Sequence, residues 1–150
     1  MRDELVIYNR PKSNISEDIR TIRTNLQFTS VDKDSKVILV ASSVPGEGKS
    51  FISSNLAAAF AQTGESVLLI DGDLRLGRIN KVFNLSNEHG LSNLLVSHGT
   101  IDFSSFLKKT KIPKLYVITR GTVPPNPSEL LNSSNFKTVI DFLKEKFDRI

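Results

Sequence analysis

Apolar positions along this chain follow two rhythms, one of three to four residues and one of short unbroken runs. Ile15, Ile19, Ile22 and Leu26 recur at steps of four, three and four, which predicts a helix over residues 14–28. Before it, residues 1–13 read as an extended lead broken at Pro11; after it, 31–36 read as a polar loop. Val37-Ile38-Leu39-Val40 predicts a first strand over 36–42. Leu56, Ala57, Phe60 and Ala61 restore the helical spacing over 49–63, with Gly64 as its C-cap. A second strand, 66–71, is apolar at four successive positions, as strands of a parallel sheet are when both faces are covered.

The remainder predicts short helices over 79–83, 91–97 and 101–109, a third strand over 115–119 and a proline-rich loop over 121–127. A last helix over 133–146 carries Phe136, Val139, Ile140 and Leu143, with Phe147 just beyond. Strands alternating with helices predict an α/β fold, a mainly parallel sheet flanked by helices. Residues 1–35 are expected as an N-terminal lead and helix, and 36–150 as the main unit. Phe147-Asp148-Arg149-Ile150 reads as the start of a further strand, so this unit is expected to be incomplete at its C-terminal end.

The link between the first strand and the following helix carries the clearest chemistry. It reads Ser43-Val44-Pro45-Gly46-Glu47-Gly48-Lys49-Ser50-Phe51. Glycines at 46 and 48 let the backbone turn tightly and aim its N–H groups at phosphate oxygens. The helix N-terminus adds its positive dipole end to the same point. Lys49 is placed to reach the terminal phosphates of a nucleoside triphosphate, and the Ser50 hydroxyl to ligate Mg²⁺. A plain glycine turn would not require strand, Gly-x-Gly-Lys-Ser and helix in this order. Ser43 replaces the usual first glycine of such loops, and Phe51 stands where many carry threonine.

The second strand ends in Asp71-Gly72-Asp73-Leu74-Arg75. Ligands of open α/β sheets sit beyond the carboxyl ends of the strands, where both carboxylates fall. Asp71 and Asp73 can converge on one Mg²⁺, directly or through water, although Asp also favours turns for its local hydrogen bonds.

Composition narrows the partners. A net charge of +4 suits anionic ligands without requiring nucleic acid, and none is expected. The absence of Cys excludes disulfides, thiolate zinc sites and iron–sulfur clusters. No apolar run reaches the ~20 residues of a membrane span, and no signal-peptide pattern opens the chain, so a cytoplasmic location is expected. His89 and His98 have no ligand-spaced partners and read as surface residues.

Four motifs in this order resemble the bacterial tyrosine kinases of capsule and exopolysaccharide synthesis, within the ParA/MinD-like branch of P-loop NTPases. They are residues 42–50, with their Walker A loop; residues 70–75, Ile-Asp-Gly-Asp-Leu-Arg, like the Walker A′ motif; Gly121 to Leu131, with Pro-Pro-Asn-Pro; and Glu17-x-x-Arg20-x-x-Arg23. The resemblance implies transfer of the γ-phosphoryl of ATP to tyrosine, with Lys49, Asp71 and Asp73 as catalytic residues. It makes Asp71 the group that takes the tyrosine proton, and Ser50, Asp71 and Asp73 the Mg²⁺ ligands. Arg75 is read either as a stabiliser of transferred charge or as an exposed structural arginine.

The resemblance further implies a ring-like homo-oligomer with Glu17, Arg20 and Arg23 at its contacts. It implies a separate transmembrane polysaccharide co-polymerase adaptor that recruits the protein to the inner face of the membrane. A Walker B strand with a third carboxylate, and then a tyrosine-rich tail, are expected after Ile150. Taken alone, Glu17 reads equally as the N3 member of a capping box with Asn14 or as an i,i+3 partner of Arg20. Pro124-Pro125-Asn126-Pro127 reads as a rigid loop. Two alternatives stand beside the kinase. A ParA/MinD-type ATPase would carry lysine where Val44 stands and Pro-Gln where Leu74-Arg75 stand. A nucleotide-dependent assembly module would share the loop and phosphorylate nothing.

Overall fold

The structure, a computed structural model, describes residues 4–29, 36–97 and 102–150. Its helices are α1 (Val6–Asn9), α2 (Asn14–Phe28), α3 (Lys49–Gln62), α4 (Ile79–Phe83), α5 (Leu91–Val96), α6 (Pro127–Leu131) and α7 (Ser134–Lys144). Its strands are β1 (Val67–Ile70), β2 (Lys108–Lys109) and β3 (Leu115–Ile118), in the order β1-β3-β2. β1 and β3 run parallel, with Val67 opposite Leu115 and Ile70 opposite Ile118.

Alternation along these two strands divides the core. Val67, Leu69, Leu115 and Val117 join Leu56, Phe60, Ile79 and Phe83 on one face. Leu68 and Ile118 join Leu91, Leu94, Val139, Leu143 and Phe147 on the other. Helices therefore cover both faces, as the unbroken apolar runs require.

The described part of the N-terminal lead, residues 4–13, is folded rather than extended. Leu5 and Ile7 are fully buried, and Val6–Asn9 form one helical turn. The cause is the α3 residue Asn55, itself fully buried. Its Oδ1 accepts from the Ile7 N–H at 3.0 Å, and its Nδ2 donates to the Glu4 and Phe51 carbonyls at 2.8 Å each. α2 matches its expected bounds, but its N-cap is Ser13, whose Oγ accepts from the Ser16 N–H at 3.2 Å; the Asn14 capping box does not form. The packed side of α2 is also rotated from the isoleucine stripe. Ser16 and Ile19 are buried, whereas Ile15 and Ile22 remain 49% and 40% exposed.

Two other expectations are corrected. The described part of the 101–109 helix is a 3-10 turn, Phe103–Ser105, followed by β2, which pairs antiparallel with β3 through Lys108–Val117 and Lys109–Tyr116. Asp102 caps the turn through its Oδ1, which accepts from the Ser104 N–H at 3.0 Å and competes with helix continuation. The proline-rich loop ends in α6, with Pro127 at the start, where a missing N–H costs nothing.

Residues 36–42 are extended but form no strand. Their ladder reaches only two bonds, Ile38 N–H to the Ile150 carbonyl at 2.8 Å and Ile150 N–H to the Lys36 carbonyl at 2.6 Å. Ile150 and Arg149 lie between this segment and β1, whose Leu68 N–H donates to the Arg149 carbonyl at 2.9 Å. Past that point the two segments face each other across a cleft of about 500 Å³, and Leu39 is 87% exposed. A strand is defined by its partner along the ladder, and residues 39–42 have none among the described residues.

Candidate functional site

The turn after residues 36–42 takes the shape its glycines allow. Gly46 and Gly48 have φ of 85° and 92°, and Gly48 is the left-handed N-cap of α3. A Cβ at either would meet no atom within 4 Å, so the backbone conformation alone demands glycine. Lys49 Nζ donates to Ser42 Oγ at 2.9 Å, and Ser42 Oγ donates to the Val44 carbonyl at 3.0 Å. The Val44 N–H meets Glu47 Oε2 at 3.4 Å, so a carboxylate stands at one loop amide. Ser43, Val44, Pro45, Gly46 and Glu47 are exposed, and Gly48, Lys49, Ser50 and Phe51 are half-buried.

β1 delivers the acidic pair to the same place. Lys49, Ser50, Asp71, Gly72 and Asp73 all line the cleft beside Ser42. Asp71 is only 5% exposed. Its Oδ2 accepts from the Ile79 N–H at 3.1 Å and its Oδ1 from the Asp73 N–H at 3.3 Å. Burial raises its carboxyl above the ordinary 3.8; the two amides oppose that, the Asp73 charge adds to it, and the Arg120 charge opposes it. Asp73 is exposed, and its Oδ1 accepts from the Arg75 and Leu76 N–H groups at 3.2 and 2.9 Å. The local turn role and the cleft-lining role of Asp73 therefore coexist.

Ser50, Asp71 and Asp73 are hard oxygen donors suited to Mg²⁺, which takes few protein ligands when phosphates and waters complete its shell. Among the described residues no group of three His, Cys, Asp or Glu side chains gathers around a metal site.

Two contributors escaped the sequence reading. Gly77 packs so tightly on Asp71 that a Cβ would lie 2.5 Å from Oδ2 and 2.6 Å from Oδ1. Arg120 follows β3 directly, and its Nη1 donates to the Arg75 carbonyl at 2.6 Å. The strand-end rule that located Asp71 applies equally to Arg120, and a glycine closing an acidic turn was the available sign for Gly77.

The Glu-x-x-Arg-x-x-Arg residues lie away from the cleft, each with a partner inside the chain. Arg20 pairs with Glu17 and donates to the Pro11 carbonyl at 2.8 Å. Arg23 turns toward α3 and donates to the Ala59 carbonyl at 3.3 Å. His89 offers only its backbone carbonyl, to Lys108 and Thr119, and His98 lies outside the described residues.

The ParA family model, described as NUBPL iron-transfer P-loop NTPase, matches residues 33–141. The chain is 41% identical over 146 residues to the putative tyrosine-protein kinase CapB of Staphylococcus aureus, covering 97% of this chain and 63% of that one. It is 43% identical to the tyrosine-protein kinase YwqD of Bacillus subtilis strain 168, covering 91% and 57%. It spans less than two thirds of the length of either. Among solved structures, the chimerical protein CapA2B2 superimposes with a TM-score of 0.91 at 40% identity, over 99% of this chain and 65% of that one. The septum-site protein MinD of Pyrococcus horikoshii, complexed with Mg-ADP, reaches 0.61 at 26% identity, over 77% and 46%. Higher identity and fuller coverage favour the kinases over MinD. This chain belongs to the bacterial tyrosine-kinase family, within the ParA group of P-loop NTPases.

Proposed function

We propose that this protein binds ATP with Mg²⁺ and transfers the γ-phosphoryl group to a tyrosine hydroxyl. The observation that carries this reading is the convergence of Lys49, Ser50, Asp71 and Asp73 on one cleft. Phosphoryl transfer depends chiefly on positioning and charge neutralisation. The backbone N–H groups of residues 43–51, Pro45 excepted, cradle the phosphates, and Lys49 holds the terminal ones. Ser50 and Asp73 would hold Mg²⁺, with Asp71 beside them in the cleft, and the ion would supply neutralisation of phosphate charge. In the transfer, the phenolic oxygen bonds to the γ-phosphorus, the bond to the ADP oxygen breaks, and the phenolic proton passes to Asp71. Free phenol has a pKa of about 10, so a carboxyl raised by burial is a better acceptor than an exposed one.

The remaining roles follow from the resemblance. Residues 1–35 would serve self-association beside the nucleotide-binding unit of 36–150, with Glu17, Arg20 and Arg23 contributing to ring contacts. The exposed Ile15 and Ile22 support a contact through α2. A separate membrane-spanning adaptor would hold the protein at the inner face of the membrane, where it would regulate capsule or exopolysaccharide synthesis. No described helix is long and apolar enough to cross a membrane.

The first test is ADP-Mg²⁺ titration calorimetry with Lys49→Met. Losing a charge-assisted contact should weaken binding about 10- to 100-fold. The fold should persist, because Lys49 Nζ meets only Ser42 Oγ. Unchanged affinity in a folded variant overturns the site. Phosphotyrosine on a peptide incubated with ATP-Mg²⁺ and the protein extended to its relatives' length then separates a kinase from an ATPase.

A further inference from the structure

We propose that Arg120 is a positioning residue, which clamps the acidic loop of residues 71–79 to the end of β3 and so holds Asp71 and Asp73 at the cleft. Its kinetic consequence rests on the phosphoryl-transfer reading; its structural consequence does not.

The bonds of this loop point inward. The Gly77 N–H donates to the Asp73 carbonyl at 2.8 Å, Arg75 and Leu76 donate to the Asp73 carboxylate, and Ile79 donates to that of Asp71. Buried Leu74 packs the first half of the loop into the core, whereas Arg75, Leu76 and Arg78 are exposed and have no such anchor. Arg120 Nη1, at 2.6 Å from the Arg75 carbonyl, grips the loop near the middle. The exposed Arg78–Glu4 pair, at 3.5 Å, is a weaker tie.

The anchor itself is fixed. The Arg120 carbonyl accepts from the Ser92 N–H at 2.9 Å, and the Thr119 carbonyl accepts from the Leu91 N–H at 2.7 Å. The Gly121 N–H donates to Asn87 Oδ1 at 3.2 Å. Gly90 and Gly121 meet so closely that a Cβ on Gly90 would lie 2.2 Å from the Thr119 carbonyl oxygen. β3 and the start of α5 thus hold the backbone from which the guanidinium reaches out. Arg120 Nε is buried with no acceptor among the described residues. Burying a donor unsatisfied is unfavourable, so the placement marks a constraint on the guanidinium beyond surface solvation. Its charge also acts on the Asp71 carboxylate.

Arg120→Gln and Arg120→Lys test the clamp. In the 150-residue chain, amide hydrogen exchange should quicken about tenfold or more at Leu76, Gly77 and Ile79 in the Gln variant, with β1 and β3 amides unchanged. Lysine, which keeps a cationic donor, should restore most of the protection. In protein that phosphorylates a tyrosine peptide, Arg120→Gln should lower kcat by up to about 10²-fold through misplacement of the carboxylates, with a smaller change in the KM for ATP-Mg²⁺. Unchanged loop exchange, or a uniform rise that includes the strands, overturns the clamp. A raised KM for ATP with kcat intact also overturns it, in favour of phosphate contact. If the wild-type protein phosphorylates no tyrosine, the functional reading fails while the exchange result still decides the clamp.

Discussion

The properties of Asp71 are set by what surrounds it. A carboxylate in water needs no glycine beside it; this one is wrapped by a loop that closes only because Gly77 lacks a Cβ. Burial raises its carboxyl above 3.8, and the amides of Ile79 and Asp73 limit the rise. The sign is definite. The folded state binds the Asp71 proton more tightly than the unfolded chain does, so this group favours the fold at pH values below 3.8. That contribution is lost as pH rises through the raised value. Comparing Asp71→Asn with the wild type by denaturant unfolding from pH 3 to 7 should show the variant gaining relative stability with increasing pH. For phosphoryl transfer the requirement is opposite, because the proton acceptor must be ionised. On that reading kcat/KM, which reports the free enzyme, should fall on the acid side at a pH above 3.8.

Among the elements, α2 departs most from its sequence appearance. Its period is helical, but the face it packs is set by Ser16 against α1 and by Ile19 and Arg23 toward α3, leaving Ile15 and Ile22 outside. Small Ser16 allows close approach, and its hydroxyl donates to the Arg10 carbonyl at 2.7 Å. Replacing Glu17, Arg20 and Arg23 together with Ala should shift self-associated protein toward monomer in sedimentation. It should also lower the stability of the monomer modestly, because Arg23 ties α2 to the Ala59 carbonyl. An unchanged oligomer with lowered stability would assign these residues to intrachain packing alone. Ser13 and Ser133 cap α2 and α7 in the same way, each accepting an amide at 3.2 Å, and each such cap is worth about 1 kcal/mol.

At the scale of the molecule, the phosphate loop and the acidic loop lie at the carboxyl ends of neighbouring extended segments, separated by the cleft. A ligand that bridges them stabilises the folded state by mass action. ADP-Mg²⁺ at about a hundred times its Kd should add about 2.7 kcal/mol. For a chain of this size that is a rise of roughly 5–10 °C in Tm. Chelating the Mg²⁺ with EDTA should reverse part of the rise, as should Asp73→Asn, because both remove the ion's share of the bridge. A Tm indifferent to nucleotide would mean that the cleft does not bind it.

Much of this was legible in the sequence because its causes are local. Gly46 and Gly48 are required by backbone angles, Lys49 and Ser50 follow them by fixed spacing, and Asp71 and Asp73 close an apolar run whose end defines a strand terminus. The bounds of α2, α3, β1, β3 and α7 came from period and caps, which are also local. Tertiary structure decided the rest. Leu5 and Ile7 became core because Asn55, some 50 positions away, supplied partners to the Ile7 N–H and the Glu4 carbonyl on either side of Leu5. Lys108–Lys109 became a strand because β3 offered an open edge, whereas residues 36–42, for all their β-branched side chains, found a partner only at Ile150. Arg120 reached the acidic loop only once β3 had been laid beside β1. Spacing along the chain encodes what a residue can do; which distant group it meets depends on contacts that no local pattern contains.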